Sequence, residues 1–500
     1  MNLKLDLATL IAGCEAEQLH LSGAIQNHGA LLILDLNGLR ISHISANFET
    51  FTGLAAPLLL DSNLEETLPW LAEVVAGWLK TKKTATHRLI PRVFASAKDG
   101  LDCWLIHAAE QIIVEFFTAR QAAPLPEHRL QLPLFAPPRD NEQMAKYNQA
   151  LIAGIQEATG LARVMLYRFH DDFSGEVIAE RAAPEFGSYL GLRFPASDIP
   201  AIARRLYLIN PWRGIPDIHA PLSPIIGTDI PDLTHSLLRS VSPVHLKYLE
   251  NMGVKASFSL PIQIGGRLWG LIACHHPTPW LVDPESCQLC VSLAKSYTIG
   301  LGIFLAQQRM QLIDSLSRRI ENILQNLKNQ DHPLDSLISQ ADRLLDLMNA
   351  DGMAITNDDE YVAYGQAPEA EALARLDQWF RQQDETMILV DDPGVQQSAL
   401  TAILTPLAGV AAIKVEKVRL GRFAGQNLRL YWFRLEEPRE VSWAGNPDKP
   451  CAENTAVPTL APRRSFERWV EVKSNTCRPW DNQDRLHCAH LRNALLRGLR

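Results

Sequence analysis

The chain has 500 residues, 48 Lys and Arg against 56 Asp and Glu, and a formal net charge of -8. Its hydrophobic (47%) and charged (21%) fractions match those of folded water-soluble proteins, which excludes wholesale disorder and a fibrous repeat. The charge balance gives no electrostatic basis for nucleic acid or an anionic membrane as partner, and at roughly 100 to 200 residues per domain the length predicts three modules.

The opening residues, MNLKLDLATLIAGCEAEQ, lack a signal-peptide cleavage pattern, and no apolar run reads as a membrane span of roughly 18 to 20 residues, so a cytoplasmic location is expected. Cysteines stand at 14, 103, 274, 287, 290, 451, 477 and 488, without the regular spacing of a disulfide scaffold. Cys287 and Cys290 form a CxxC inside a helical pattern, with no second pair at zinc-ligand spacing, and are expected to serve packing.

In chain order, ALLILDL and LRISHIS flank an Asn-Gly pair, the signature of an antiparallel hairpin that opens a small sheet domain ending near Ala119. Residues 121–140 hold five prolines and read as a linker. Met144, Tyr147, Leu151 and Ile155 recur at helical spacing before Gly160, and the strands RVMLYRF and GEVIAERAA follow. ASFSLPIQI and RLWGLIACHH, joined at Gly265-Gly266, predict a second hairpin, with a long irregular stretch, 210–236, between the two strand pairs.

A single helix is predicted from Pro284 to Lys328. Its stripe of Ile313, Leu316, Ile320, Ile323 and Leu327 suits a connecting spine and a parallel dimer seam. Beyond it, GMAITNDDEYVAYG and GVAAIKVEKV alternate like strands of a third module. This module carries a long segment, about 434–472, with strand-like ends and a polar middle, and it closes on a helix bearing Leu486, Leu491 and Leu495.

The second module concentrates polar residues in apolar sequence: Asp198, Tyr207, Arg213, Arg239, His245, Ser257, Ser259 and His275. Two arginines aimed inward suit a ligand with two carboxylates, because a guanidinium fork pairs with a carboxylate bidentately; taken singly, each arginine reads rather as a solvated surface charge. Ser257 and Ser259, two apart, face one side of a strand. No nucleotide loop, GxSxG or HExxH is present, and AHLRNALL lacks the acidic residue and proline of a kinase phosphoacceptor helix.

The runs FPASDIPAIARRLY, LRSVSPVHLKYLENMGV, GRLWGLIACHH and PRRSF, with Cys14 and GAIQNHGALL, closely resemble bacteriophytochromes over nearly the whole chain. The resemblance implies an α+β fold of three mixed domains with antiparallel sheets: PAS (1–120, with the attachment segment), GAF (121–310, binding the chromophore) and PHY (311–500, with a tongue at about 434–472 and a connector helix). It also implies a figure-of-eight knot between the amino-terminal segment and the GAF loop, and a red and far-red photoreceptor holding biliverdin IXα through a thioether to Cys14. The place where other relatives attach a bilin is here Val244.

By the same likeness, Arg213, Arg239, Ser257 and Ser259 would hold the propionates. His245 and the Asp198 carbonyl would serve the pyrrole nitrogens and His275 the D-ring carbonyl, while Ile199 lines the pocket and Tyr167, Phe194, Tyr207 and Tyr248 wall the D-ring. Arg463 would pair with Asp198 as a switch, with Ser465, Trp443 and Trp480 supplying switch contacts. A homodimer through the long helix and an output domain or response regulator are the implied partners, with no turnover in this chain. Glu17-Gln18-Leu19, Ser22 and Asn27 depart from the family pattern and loosen the expected threaded segment. A bilin-storage protein without photoconversion is the alternative reading, and a cyclic-nucleotide GAF sensor is disfavoured because it leaves Cys14 and PRRSF without purpose.

Overall fold

The computed structural model describes residues 18–36, 38–80, 87–94, 100–108, 110–119, 134, 136–327, 333–357, 360–416, 427–447 and 465–497. Cys14, Arg463 and most of the 121–140 linker lie outside the described residues. The chain divides into two compact units, Met1–Phe304 with Ser442–Trp469, and Leu305–Val441 with Val470–Arg500.

The first unit holds two sheets. One runs Ala24–Gln26, Leu222–Gly227, Ile41–Ser45, Ala30–Asp35, Gln111–Thr118, Leu101–Ala108, His87–Phe94. The hairpin expected at Asn37-Gly38 pairs Ala30–Asp35 with Ile41–Ser45. Its ALLIL run buries both faces: Ala30, Leu32 and Leu34 meet Val75 and Trp78 of helix Pro69–Lys80, while Leu31 and Ile33 share a core with Trp212, Leu238 and Phe258. An uninterrupted apolar strand is what a doubly covered sheet requires, and the second covering layer here is the expected GAF module.

The stretch 210–236, read as irregular, contains two strands. Arg213–Ile215 joins the second sheet, and Leu222–Gly227 enters the first sheet between Ala24–Gln26 and Ile41–Ser45. Its partners are nearly 200 residues away in sequence, so local pattern cannot reveal the pairing. Ala24–Gln26 is held on both edges by this one loop: by Leu222–Pro224 on one side, and on the other by Gln26 N donating to Leu238 O (2.8 Å) and Ser240 N donating to Ala24 O (3.1 Å).

The second sheet orders Arg213–Ile215, Ala256–Ile264, Arg267–His276, Arg163–Phe169, Gly175–Ala182 and Arg193–Phe194, then residues 442–444 and 468–469 of two further strands. Helix Asn141–Thr159 covers it, started by Asp140 accepting from Gln143 N (2.8 Å) and ended by Gly160 at φ 69°. Gly265 and Gly266, at φ 57° and 75°, make the expected hairpin turn.

Helix Pro284–Leu327 corrects two expectations. An 18-residue window of its described part reaches a mean hydropathy of 1.6, long and apolar enough to cross a membrane; 44% of that window is buried, and Cys287, Cys290, Val291, Ala294, Tyr297 and Leu301 pack in the first unit's core. Three residues of the stripe assigned to a dimer seam are in-chain core: Leu316, Ile320 and Ile323 are buried with Leu344, Met348 and Leu491, while Ile313 is half-buried. The exposed apolar residues of the helix are instead Ile299, Ile303, Leu305 and Met310.

In the second unit five antiparallel strands run Tyr361–Gly365, Gly352–Thr356, Leu428–Leu435, Leu407–Val415, Met387–Val390. Leu407–Val415 was expected to alternate, yet all nine residues are buried, since Ala411 and Ile413 face one core and Val410 and Ala412 the other. The closing helix Asn482–Arg497 buries Leu491 and Leu495, with Leu486 partly covered. If Leu316 serves this core, Leu316→Ala should cost about 2 to 5 kcal/mol in denaturant unfolding, with a midpoint shift independent of protein concentration; a loss that vanishes on dilution would restore the seam.

Candidate functional site

A cavity of about 240 Å³ opens within the first unit, and twelve of the expected residues line it: Tyr167, Phe194, Asp198, Ile199, Tyr207, Arg213, Arg239, His245, Tyr248, Ser257, Ser259 and His275. Strand register explains one wall. Arg213 stands opposite Ser259, and Ser257 opposite both Ile215 and His275; directly opposed residues of antiparallel strands share a face. The period-two reading of the serines therefore holds. Tyr207 comes from helix Ala201–Ile209, and its Oη lies 2.7 Å from Ser259 Oγ, beside the serines.

The arginines are partly engaged with the chain itself. Arg213 donates to the carbonyls of Leu237 (3.1 Å), Ser240 (3.0 Å) and Arg239, and Arg239 donates through Nη1 to those of Leu233 and Thr234 (both 3.3 Å). Burial, and for Arg213 the neighbouring Arg239, hold the two guanidiniums at about 9 and about 10, so both remain cations at neutral pH. Two positive charges on one wall, Arg239 buried and Arg213 half-buried, favour an anion beside them.

The imidazoles differ. Burial first, and then Arg213, push His245 down to about 4; burial, and then Arg163 and His245, push His275 to about 3. Both rings are neutral at pH 7, each offering one N–H and one acceptor nitrogen. His245 stacks on Tyr248 (centroids 6.0 Å, 13° between planes), whose hydroxyl donates to Asp198 Oδ2 at 3.2 Å.

Aromatic residues close the remaining side. Tyr167 lies 5.9 Å from Phe194, and Phe194 meets Tyr189 edge-on at 5.6 Å. A Cβ on Gly175 would fall 1.6 Å from the Tyr167 ring, so only glycine leaves that ring its place. Phe466, 8% exposed, packs edge-on against Tyr248 at 5.1 Å, and buried Trp443 pairs in parallel with Arg193.

Two expected switch residues lie elsewhere. Ser465 is exposed, its hydroxyl accepting from Glu467 N at 3.4 Å, because the chain there turns its polar side to solvent. Trp480 belongs to the second unit, where its indole donates to Val390 O and the Arg434 guanidinium stacks on it at 3.5 Å. Arg463 and Cys14 lie outside the described residues.

Four buried polar atoms of lining residues have no hydrogen-bond partner among the described residues: Arg239 Nε, His275 Nδ1, Trp212 Nε1 and Asn210 Oδ1. Such orphans are rare in native proteins and mark groups that a bound polar molecule can satisfy. Sequence reasoning missed Asn210, Trp212 and Phe466. Only Phe466 had a signal, as a lone aromatic closing the charged PRRS run.

Three families match segments in order: "PAS fold" over residues 14–118, "GAF domain" over 148–301 and "Phytochrome region" over 316–499. Cyanobacterial phytochrome A of Nostoc sp. is 31% identical over 96% of this chain and 64% of its own length; a bacteriophytochrome of Xanthomonas campestris pv. campestris is 30% identical over 93% and 75%. The chain thus spans about two thirds to three quarters of these relatives. The solved photosensory core module of the Stigmatella aurantiaca phytochrome superposes with a TM-score of 0.80 at 29% identity, covering 97% of each chain.

Because the Tyr167 ring fills the space beside Gly175, Gly175→Ala should force that ring aside and lower stability by about 1 to 3 kcal/mol, read as a fall in the melting temperature. An unchanged melting temperature would show that the wall yields freely.

Proposed function

The chain belongs to the phytochrome family, and from that premise we propose that it is a red and far-red photoreceptor core that binds biliverdin IXα covalently through Cys14. The observation that carries this reading is that one cavity gathers twelve of the expected residues, with two cations on one wall, neutral imidazoles beside them and four orphaned polar atoms. A dicarboxylate with ring N–H and carbonyl groups answers each of those demands.

A short strap would bring Cys14 to the cavity. Leu19 lines the cavity, and five residues span at most roughly 17 Å when extended. The enclosure of Ala24–Gln26 between two stretches of one loop supports a threaded strap that keeps the thiol near.

When bound, the pigment would supply a light-driven 15Z to 15E turn about its C15 to C16 double bond. The chain's own residues then have separate tasks. Arg213 and Arg239, with Ser257 and Ser259, hold the propionates; His245 and the Asp198 carbonyl orient the pyrrole nitrogens; His275 meets the D-ring carbonyl. Tyr167, Phe194, Tyr207 and Tyr248, with Ile199, exclude water while leaving room to turn.

Asp198 paired with Arg463 forms the switch, and loss of that pair favours another packing of the tongue, with Trp443 and Trp480 among its contacts. The change passes along helix Pro284–Leu327 in a homodimer to an output module or a response regulator, in the cytoplasm. No turnover is assigned to this chain.

Mixing the protein with biliverdin and alternating red and far-red light should give a reversible difference spectrum. Pigment bound without photoconversion would favour storage, and failure to bind would overturn the reading. Cys14→Ser should take up pigment yet lose it on denaturation, and retention would refute the attachment site. Asp198→Ala and Arg463→Ala should each impair formation or lifetime of the light-produced state more than uptake; normal photocycling in both would remove the switch.

A further inference from the structure

The most deeply buried carboxylate near the cavity belongs to a residue for which the photoreceptor reading has no use. Glu115 lies in strand Gln111–Thr118 of the first sheet and is 0% exposed. It accepts from Ser236 Oγ (2.5 Å), Leu238 N (3.0 Å) and Leu237 N (3.2 Å), and Ser236 Oγ accepts in turn from Arg239 N (2.9 Å). The carbonyls of Leu237 and Arg239, on the same turn, take the Arg213 guanidinium. One carboxylate of the PAS sheet thereby fixes the turn on which both arginines are seated, and stands in the electrostatic field of both.

We propose that Glu115 is the positioning residue for the arginine pair and the internal competitor of the ligand's carboxylates, so that capture of a dianionic ligand draws up to one proton from solvent onto Glu115, according to how far it is ionised beforehand. This rests on the photoreceptor reading for the ligand, and the proton linkage goes beyond it. A propionate placed against Arg213 or Arg239 spends the positive field that keeps Glu115 ionised, and a second buried anion nearby disfavours the charge further.

Burial raises Glu115 to about 7, against the lowering by Ser236, Leu238, Arg213 and Leu237, so it stands part-ionised at neutral pH before the ligand arrives. The surrounding groups come from every neighbouring element. Around Glu115 and its arginines the loop supplies Arg239 and Asp232, strand Arg213–Ile215 supplies Arg213, and helix Ala201–Ile209 supplies Tyr207. His28 at about 3, His87 at about 4 and His245 at about 4 are neutral throughout the neutral range, burial lowers His235, burial raises Tyr207, and Arg213 at about 9 and Arg239 at about 10 stay charged.

The sign follows. Below the free-state value Glu115 is already protonated and pH has no effect through it; above it, capture requires uptake of a proton, so affinity falls as pH rises, by at most about tenfold per pH unit for one proton.

The test is an equilibrium titration of the Cys14→Ser chain, which removes thiolate chemistry, with biliverdin and with its dimethyl ester from about pH 6 to 8. Affinity for the diacid should fall with pH while that for the diester stays flat, and Glu115→Gln should flatten the diacid curve. A flat diacid curve, or an undiminished slope in Glu115→Gln, overturns the inference. If that variant does not fold, the diacid and diester contrast decides alone. Binding of neither pigment at any pH overturns the photoreceptor reading and this inference together, whereas binding without a slope overturns this inference only.

Discussion

The structure turns on two guanidiniums on one cavity wall, Arg239 buried and Arg213 half-buried. Each charge is expensive to bury, and the chain meets part of that cost by aiming backbone carbonyls of residues 233–240 at them. Those carbonyls are available only because the loop doubles back. The same doubling grips Ala24–Gln26 on both edges, and Gln26 Nε2 donates to the carbonyls of Gly214 (3.0 Å) and Arg239 (3.4 Å). The amino-terminal strand, the loop and the cavity-lining arginines are therefore one hydrogen-bonded assembly, and disturbing any of them disturbs the arginine wall.

Much of this was legible in the residues. The Asn-Gly and Gly-Gly pairs pointed to two hairpins whose strands do pair, Gly160 capped the helix it was expected to cap, and the spacing of Ser257 and Ser259 placed both residues on the cavity side. Asp198 and His275 stood out as polar residues in apolar sequence, but their roles came from family likeness. What stayed hidden depended on distant partners. Leu222–Gly227 is a strand only because Ala24–Gln26 and Ile41–Ser45 lie beside it, and Glu115 reads as an ordinary exposed acid until the 236–238 turn is brought against it. The stripe Leu316, Ile320 and Ile323 has the period of a coiled coil, yet a core-facing helix shows the same period, and tertiary packing chose between them.

Within the first unit the cavity meets a segment remote in sequence. Phe466 rests on Tyr248, which stacks on His245 and donates to Asp198, while Trp443 pairs with Arg193, the residue before Phe194. Gly445 N donates to Glu467 O at 2.7 Å, so the two arms of that segment are hydrogen-bonded to each other as well as to the cavity wall. In the proposed switch, a rearrangement around Tyr248 or Asp198 would reach this segment through the Tyr248–Phe466 ring contact. Packed side chains of this kind have discrete arrangements rather than a continuum, which gives a small change in the cavity a route to a larger one.

The claim that the arginine wall exists for a dicarboxylate is tested most directly by a crystal structure of the chain loaded with biliverdin. The expected result places propionate oxygens about 2.7 to 2.9 Å from the guanidinium nitrogens of Arg213 or Arg239, with the backbone carbonyls of 233–240 still engaged. Propionates directed away from both arginines into solvent, with those guanidiniums bonded only to the chain, would contradict it.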